Sequence, residues 1–183
     1  MIEVVKSALD KDFCGYLSLS MDMMMDFLGN PKDPGNISNS NGYYSPVCFE
    51  PLLLHLQSMV EDSVEKRLYP CYSYGRIYRY GSILPKHKDR PPGEYGVTIC
   101  IDKDTPWDIN FEVNGETLSY DLDPGDLCIY RGMDYLHWRD KYAGQKQTQC
   151  FLMYVDADGP YSEWKYDKRP SLLMPGRQLS HCP

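Results

Sequence analysis

The sequence predicts an α+β fold, mainly β, with two N-terminal helices packed on one sheet of a β-sandwich or jelly roll. Three observations carry that expectation. Apolar residues recur at helical spacing in the first third of the chain, and from Tyr72 the spacing shortens to that of strands. Turn dipeptides then punctuate the chain at short intervals. A run of helices followed by a run of strands marks this class rather than an alternating α/β fold.

The elements follow in order. Glu3 to Phe27 reads as helical after a short lead, with Asp10-Lys11-Asp12 as a start signal and Phe13, Leu17, Met21, Met24 and Leu28 as the apolar stripe. The run Met23-Met24-Met25 is read as core packing, because methionine fills irregular gaps. Gly29 to Pro46 holds three prolines among Asn, Ser and Gly, and is expected to be a flexible loop. Loops of that length in small domains are mobile or functional. A second helix is expected from about Pro51 to about Leu68, with Leu52, Leu53, Leu56, Met59, Val60 and Val64 buried and His55 a packing or surface histidine.

Strand patterns come next: Tyr74 to Tyr80, broken at Gly81, and the apolar Val97 to Ile101. Phe111 to Val113 and Thr117 to Leu122 flank Asn114-Gly115, the strongest short-range hairpin signal. Asp123-Pro124-Gly125-Asp126 is a turn feeding Leu127 to Tyr130, and Gln149 to Val155 is the last clear strand. The chain divides into helical support over 1–70 with its flexible loop at 29–46, a jelly-roll core over 71–158, and an irregular tail over 159–183. Its 183 residues suit a single domain with a sizeable core.

Composition narrows the function classes. A net charge of −7 argues against a phosphate-binding surface, so no nucleic-acid partner is expected. No apolar run approaches the roughly 20 residues that cross a bilayer. Met1 to Ser20 is broken by Glu3, Lys6, Asp10, Lys11 and Asp12, unlike a secretory signal. A cytoplasmic protein without a membrane partner is the expectation. Seven cysteines without a CxxC pair fit reduced thiols rather than a disulfide framework or a zinc finger. Oligomeric state is not readable from the sequence.

The residues that carry chemistry are His87, Asp89 and His137. Positions two apart on a strand share a face, so His87 and Asp89 point the same way. A second histidine from a neighbouring strand, His137, completes two imidazoles and one carboxylate on one side of a metal. That set leaves coordination positions open, as in non-haem Fe(II) oxygenases.

Around those ligands the sequence resembles the Fe(II)- and 2-oxoglutarate-dependent dioxygenases, in particular their prolyl 4-hydroxylase-like branch. The resemblant segments are Leu9-Asp10-Lys11-Asp12-Phe13-Cys14-Gly15-Tyr16-Leu17, Tyr78-Arg79-Tyr80-Gly81 through His87-Lys88-Asp89, Pro124-Gly125-Asp126 through His137-Trp138-Arg139, and Tyr154-Val155-Asp156-Ala157-Asp158. The likeness spans most of Val4 to Asp158. It implies a double-stranded β-helix, the cupin-like jelly roll.

The resemblance also implies cofactors and roles. Fe(II) is held by His87, Asp89 and His137, 2-oxoglutarate and O₂ are cosubstrates, and ascorbate is a candidate auxiliary reductant. The far carboxylate of 2-oxoglutarate needs a buried cation, which the family places nine or ten residues after the distal histidine. Lys146 occupies that position, with Arg139 the alternative, and Tyr78 matches the family tyrosine that hydrogen-bonds the cosubstrate. Arg90, Trp138, Arg76 and Arg131 are candidate substrate contacts. The implied reaction converts 2-oxoglutarate to succinate and CO₂ while hydroxylating a prolyl residue in a peptide or protein, rather than a small molecule. Two readings stay open beside it: a cupin-like dioxygenase or isomerase that does not use 2-oxoglutarate, and a non-catalytic jelly-roll binding module.

Overall fold

A computed structural model describes residues 1–28 and 37–174. Two antiparallel sheets face each other, and helices cover the outer side of the larger one. Strand β1 is Ile2–Val5, β2 Ser40–Tyr44, β3 Leu68–Arg79, β4 Leu84–His87 and β5 Tyr95–Lys103. They are followed by β6 Ile109–Val113, β7 Glu116–Tyr120, β8 Leu127–Tyr130, β9 Leu136–Arg139 and β10 Lys146–Asp156. The six-stranded sheet runs β1-β8-β5-β10-β3-β2 and the four-stranded sheet β4-β9-β6-β7. This is the jelly roll that the sequence predicts.

Helix α1 spans Lys11–Leu28, α2 Leu52–His55 and α3 Gln57–Val64. The first helix starts later than its periodicity suggests. Ile2–Val5 is an edge strand paired with β8, from Ile2 opposite Tyr130 to Val5 opposite Leu127. The start signal itself is real, since the Asp10 carboxylate accepts from the backbone N–H groups of Asp12 (2.8 Å) and Phe13 (3.4 Å). The second expected helix is divided at Leu56, where ψ opens to −2°, and ends at Glu65 in the left-handed region. Part of the expected loop is also a strand, as Ser40 to Tyr44 pair with β3. Residues 29–36 of that loop and 175–183 of the tail lie outside the described residues.

Strict alternation sorts the long strands into two cores. Val97, Ile99 and Ile101 of β5 and Cys150, Leu152 and Tyr154 of β10 pack with Leu17, Met21, Leu53 and Leu56 of the helices. The intervening residues face the other sheet, where Cys100 and Cys128 meet Ile109, Phe111 and Tyr130. Each fully buried aliphatic side chain is worth about 1.5–3 kcal/mol of burial. The β6–β7 hairpin turns on Asn114 and Gly115, with φ of 52° and 83°, the pair of positive angles that a two-residue loop requires.

The C-terminal segment is anchored rather than loose as far as it is described. Arg169 is buried and donates to the Glu50 carboxylate (3.3 Å) and the Cys71 carbonyl (3.0 Å), while the Leu173 N–H donates to Glu50 at 2.8 Å. Burial opposes ionisation of Glu50, but the Leu173 and Ser73 amides and Arg169 outweigh it and hold its pKa below the usual range.

Candidate active site

The site forms where the two sheets meet. His87 ends β4 and lies opposite His137 of β9, so one pairing register sets both imidazoles. Asp89 follows two residues later, its N–H held by the Gly132 carbonyl at 2.9 Å. Gly132 is required there by space, because a Cβ would lie 2.2 Å from Asp89 Oδ2. The rings stand 4.2 Å apart, and each Nε2 lies 3.6 Å from Asp89 Oδ1. One ligand atom from each residue falls within 4.8 Å of the others.

Backbone carbonyls fix both tautomers. His87 Nδ1 lies 2.8 Å from the Pro85 carbonyl and His137 Nδ1 3.1 Å from that of Tyr135. A carbonyl only accepts, so Nδ1 carries the proton in each ring and the Nε2 lone pairs turn toward Asp89. Asp89 Oδ2 is buried and makes no hydrogen bond among the described residues. Three acceptors converge with no donor between them, an arrangement that suits a cation and is costly without one. Burial lowers the His137 pKa against the opposing pull of Asp89, which keeps that imidazole neutral. At His87 burial acts in the same sense, but the Asp89 carboxylate and the Pro85 carbonyl outweigh it and the pKa rises.

A cavity of about 400 Å³ opens beside the triad. Tyr72, Tyr74, Arg76 and Tyr78 line it from one face of β3, with Phe151 and Met153 from β10. Volume and aromatic lining are those of a small-molecule or side-chain pocket. Tyr78 is buried, edge-on to Trp107 at 4.8 Å between centroids. The Arg76 guanidinium lies 5.3 Å from the Tyr74 ring and 5.6 Å from that of Tyr78. Arg90 also lines the cavity, over the Tyr72 ring at 4.6 Å, and donates twice to Asp167 at 3.0 Å.

The two candidate cations separate cleanly. Lys146 points away from the cavity toward α1, where it meets Asp22 at 2.5 Å and Asp102 at 3.6 Å. Its neighbours Gln147 and Gln149 take the buried face of β10, bonded to each other at 2.9 Å and onward to Thr98 at 2.7 Å. The assignment of Lys146 to the pocket is therefore corrected by strand phase. Arg139 shares a face of β9 with His137 and is fully buried behind the cavity lining. One of its terminal nitrogens donates to the Trp107 carbonyl at 2.6 Å; Nε and Nη2 make no hydrogen bond among the described residues. Burial, only partly offset by the neighbouring Tyr78, lowers its pKa.

Two further expectations are corrected. Trp138 lies between His137 and Arg139, so it takes the outer face, where Lys86 sits 4.4 Å from its ring. Arg131 pairs with Asp134 and reaches the Tyr95 hydroxyl at 3.3 Å, outside the cavity lining. Sequence reasoning missed Tyr72, Phe151 and Met153, although the alternation through Tyr72, Tyr74, Arg76 and Tyr78 marks one face of a strand. It also missed Asp167, which no sequence signal ties to Arg90.

No protein-family profile matches the sequence, and no curated protein does. Solved structures do match the fold. A Pseudomonas putida prolyl-4-hydroxylase superposes with a TM-score of 0.66 at 10% identity, covering 85% of this chain and 92% of that one. A Trichoplax adhaerens prolyl hydroxylase, in complex with a peptide fragment of the hypoxia inducible factor oxygen degradation domain, gives 0.68 at 11%, covering 85% and 83%. HygX from Streptomyces hygroscopicus, with nickel, 2-oxoglutarate and hygromycin B bound, gives 0.66 at 11%, covering 86% and 83%. The chain thus shares its fold with two prolyl hydroxylases, one of them holding a peptide, and with a protein that holds 2-oxoglutarate and hygromycin B.

Proposed function

We propose that this chain is an Fe(II)- and 2-oxoglutarate-dependent oxygenase. The observation that carries the reading is the convergence of His87, Asp89 and His137, tautomers fixed and Asp89 Oδ2 unbonded, beside an aromatic cavity. Fe(II) would be held by those three residues. Arg139 would meet the far carboxylate of 2-oxoglutarate, since a buried guanidinium with two unbonded nitrogens calls for an anion. Tyr78 would flank the cosubstrate. When bound, metal and cosubstrate supply the oxidising chemistry: 2-oxoglutarate and O₂ give succinate and CO₂, and one oxygen atom goes to the substrate.

The chain's own groups position and shield. Tyr72, Tyr74, Phe151 and Met153 exclude water from the reacting C–H bond, while Arg76 and Arg90 offer positive charge at the wall. A prolyl side chain in a peptide or protein is our first reading of the substrate, supported by the fold shared with two prolyl hydroxylases. A small-molecule substrate is the second, supported by the fold shared with HygX and by a C-terminal segment that meets the pocket through Asp167 and Arg90.

The test is anaerobic titration with Fe(II) or Mn(II), followed by succinate release with proline-rich peptides and with a small-molecule panel. One metal per chain, lost in Asp89→Ala, and 2-oxoglutarate-dependent succinate support the reading. Metal binding without 2-oxoglutarate binding would transfer support to a cupin-like enzyme, and no metal site at all to a binding module.

A further inference from the structure

Helix α1 is apolar on both sides. Cys14, Leu17 and Met21 are buried against the sheet, yet Tyr16, Leu19, Met23 and Phe27 are 65, 59, 64 and 88% exposed. At about 100° per residue the four exposed side chains fall within about 80° of arc, opposite the buried face, over about 16 Å of helix. A surface helix ordinarily turns one apolar stripe inward and polar residues outward, so a second apolar stripe is out of pattern. The ring of Phe13, stacked on Tyr16 with centroids 6.5 Å apart, widens the stripe at its N-terminal end. Beside it Gly15 sits mid-helix with nothing within 4 Å of a would-be Cβ. Glycine there costs about 0.5–1 kcal/mol relative to alanine, and no contact among the described residues calls for it.

We infer that this stripe joins two copies of the chain, α1 packed antiparallel on α1 across a two-fold axis near Leu19. Aromatic side chains carry roughly 150–250 Å² each. At the observed exposures the stripe presents on the order of 500 Å² of apolar surface, near the upper end for a lone monomer. Two copies would bury about 1,000 Å² from the stripes alone and more from the flanks, which reaches the size of a specific interface. Gly15 lets the second backbone approach.

The helix dipoles favour the antiparallel orientation, and one charge pair fits it. Lys11 and Asp26 stand at opposite ends of the same flank of α1, and neither makes an ion pair among the described residues. Among the described residues Asp22 is the one charged α1 side chain in an ion pair, with Lys146. A two-fold axis near Leu19 sets Lys11 of one copy toward Asp26 of the other, twice, and opposes the two helix dipoles.

Sedimentation equilibrium of the full chain from about 1 to 200 μM tests this. The wild type should dimerise in that range. Leu19→Glu with Met23→Glu should be monomeric throughout, with unchanged far-UV circular dichroism and metal binding, because both sites are solvent-facing in one copy. Lys11→Glu and Asp26→Lys should each weaken the dimer about tenfold, and their combination should restore it. A wild type that stays monomeric, or a dimer indifferent to the two glutamates, overturns the interface. Failure of the charge swap to restore pairing overturns the antiparallel arrangement.

Discussion

Replacing Arg139 by methionine should move two quantities in opposite directions. Methionine keeps most of the stem and removes a guanidinium that is fully buried and bonded only to the Trp107 carbonyl among the described residues. Losing that 2.6 Å bond costs about 1–3 kcal/mol, because the carbonyl is left unsatisfied. Relieving two buried N–H groups, Nε and Nη2, returns about 1–3 kcal/mol each, and more while the group is charged. Taken at mid-range the two gains outweigh the one loss, so the ligand-free variant should be more stable than wild type by about 2 kcal/mol.

Its affinity for 2-oxoglutarate should collapse. A buried charge-assisted pair is worth about 2–5 kcal/mol when one partner is removed, or roughly 30- to 4,000-fold in Kd. Calorimetry with Mn(II) in place of Fe(II) reads this directly, and thermal melts give an independent measure. At about 100 times Kd, 2-oxoglutarate should stabilise the wild type by about 2.7 kcal/mol, or about 5–10 °C for a chain of this length. Arg139→Met should show almost no such shift. Lys146→Met should bind normally and lose under about 1 kcal/mol, since its pair with Asp22 is partly exposed. Wild-type affinity in Arg139→Met, or lost affinity in Lys146→Met, refutes the reasoning. Loss only in Arg76→Met moves the anchor to β3.

Gly132→Ala drives a methyl group to within 2.2 Å of Asp89 Oδ2 and 2.5 Å of the Gly93 carbonyl, so metal affinity by Mn(II) titration should fall about 10- to 100-fold. Arg169→Leu leaves the buried Glu50 carboxylate without its counter-charge, and urea unfolding should show a loss of about 3 kcal/mol. Because Glu50 is depressed below its unfolded value near 4.3, the stability it contributes is full above that pH and lost as pH falls through the folded value. Glu50→Gln should flatten that acid limb of a melting-temperature profile. Asp167→Ala releases Arg90 and the Tyr44 hydroxyl (2.5 Å), and steady-state kinetics should show a raised substrate KM with metal affinity unchanged.

The meeting of His87, Asp89 and His137 was legible because few residue sets combine in that way, although Asp89 lies beyond the end of β4, where the Gly132 carbonyl rather than strand pairing holds it. The β6–β7 hairpin was legible because Asn114-Gly115 states its own backbone angles. Lys146 was misplaced for a physical reason. Lys146-Gln147-Thr148-Gln149 is polar on both faces, so no periodicity tells inside from outside, and counting from His137 cannot supply the phase. β1 escaped notice because its partner, β8, lies over 120 residues away, and four residues carry too short a pattern to declare themselves. The C-terminal segment was unreadable for a related cause. Tyr166, Asp167 and Lys168 all adopt φ near 55–60°, a conformation that only their tertiary partners stabilise.

Strand β9 has four residues, yet it places His137 at the proposed metal site and Arg139 at the proposed cosubstrate anchor. A slip of one residue in its pairing with β4 and β6 would turn both side chains outward together and bring Leu136 and Trp138 in. The two affinities thus share a single mechanical failure point. Mutational drift can weaken either side chain alone, but an insertion or deletion in the turn from Arg131 to Tyr135 forfeits both at once. That turn should be the least length-tolerant segment of the chain, although it contains none of the three proposed ligands.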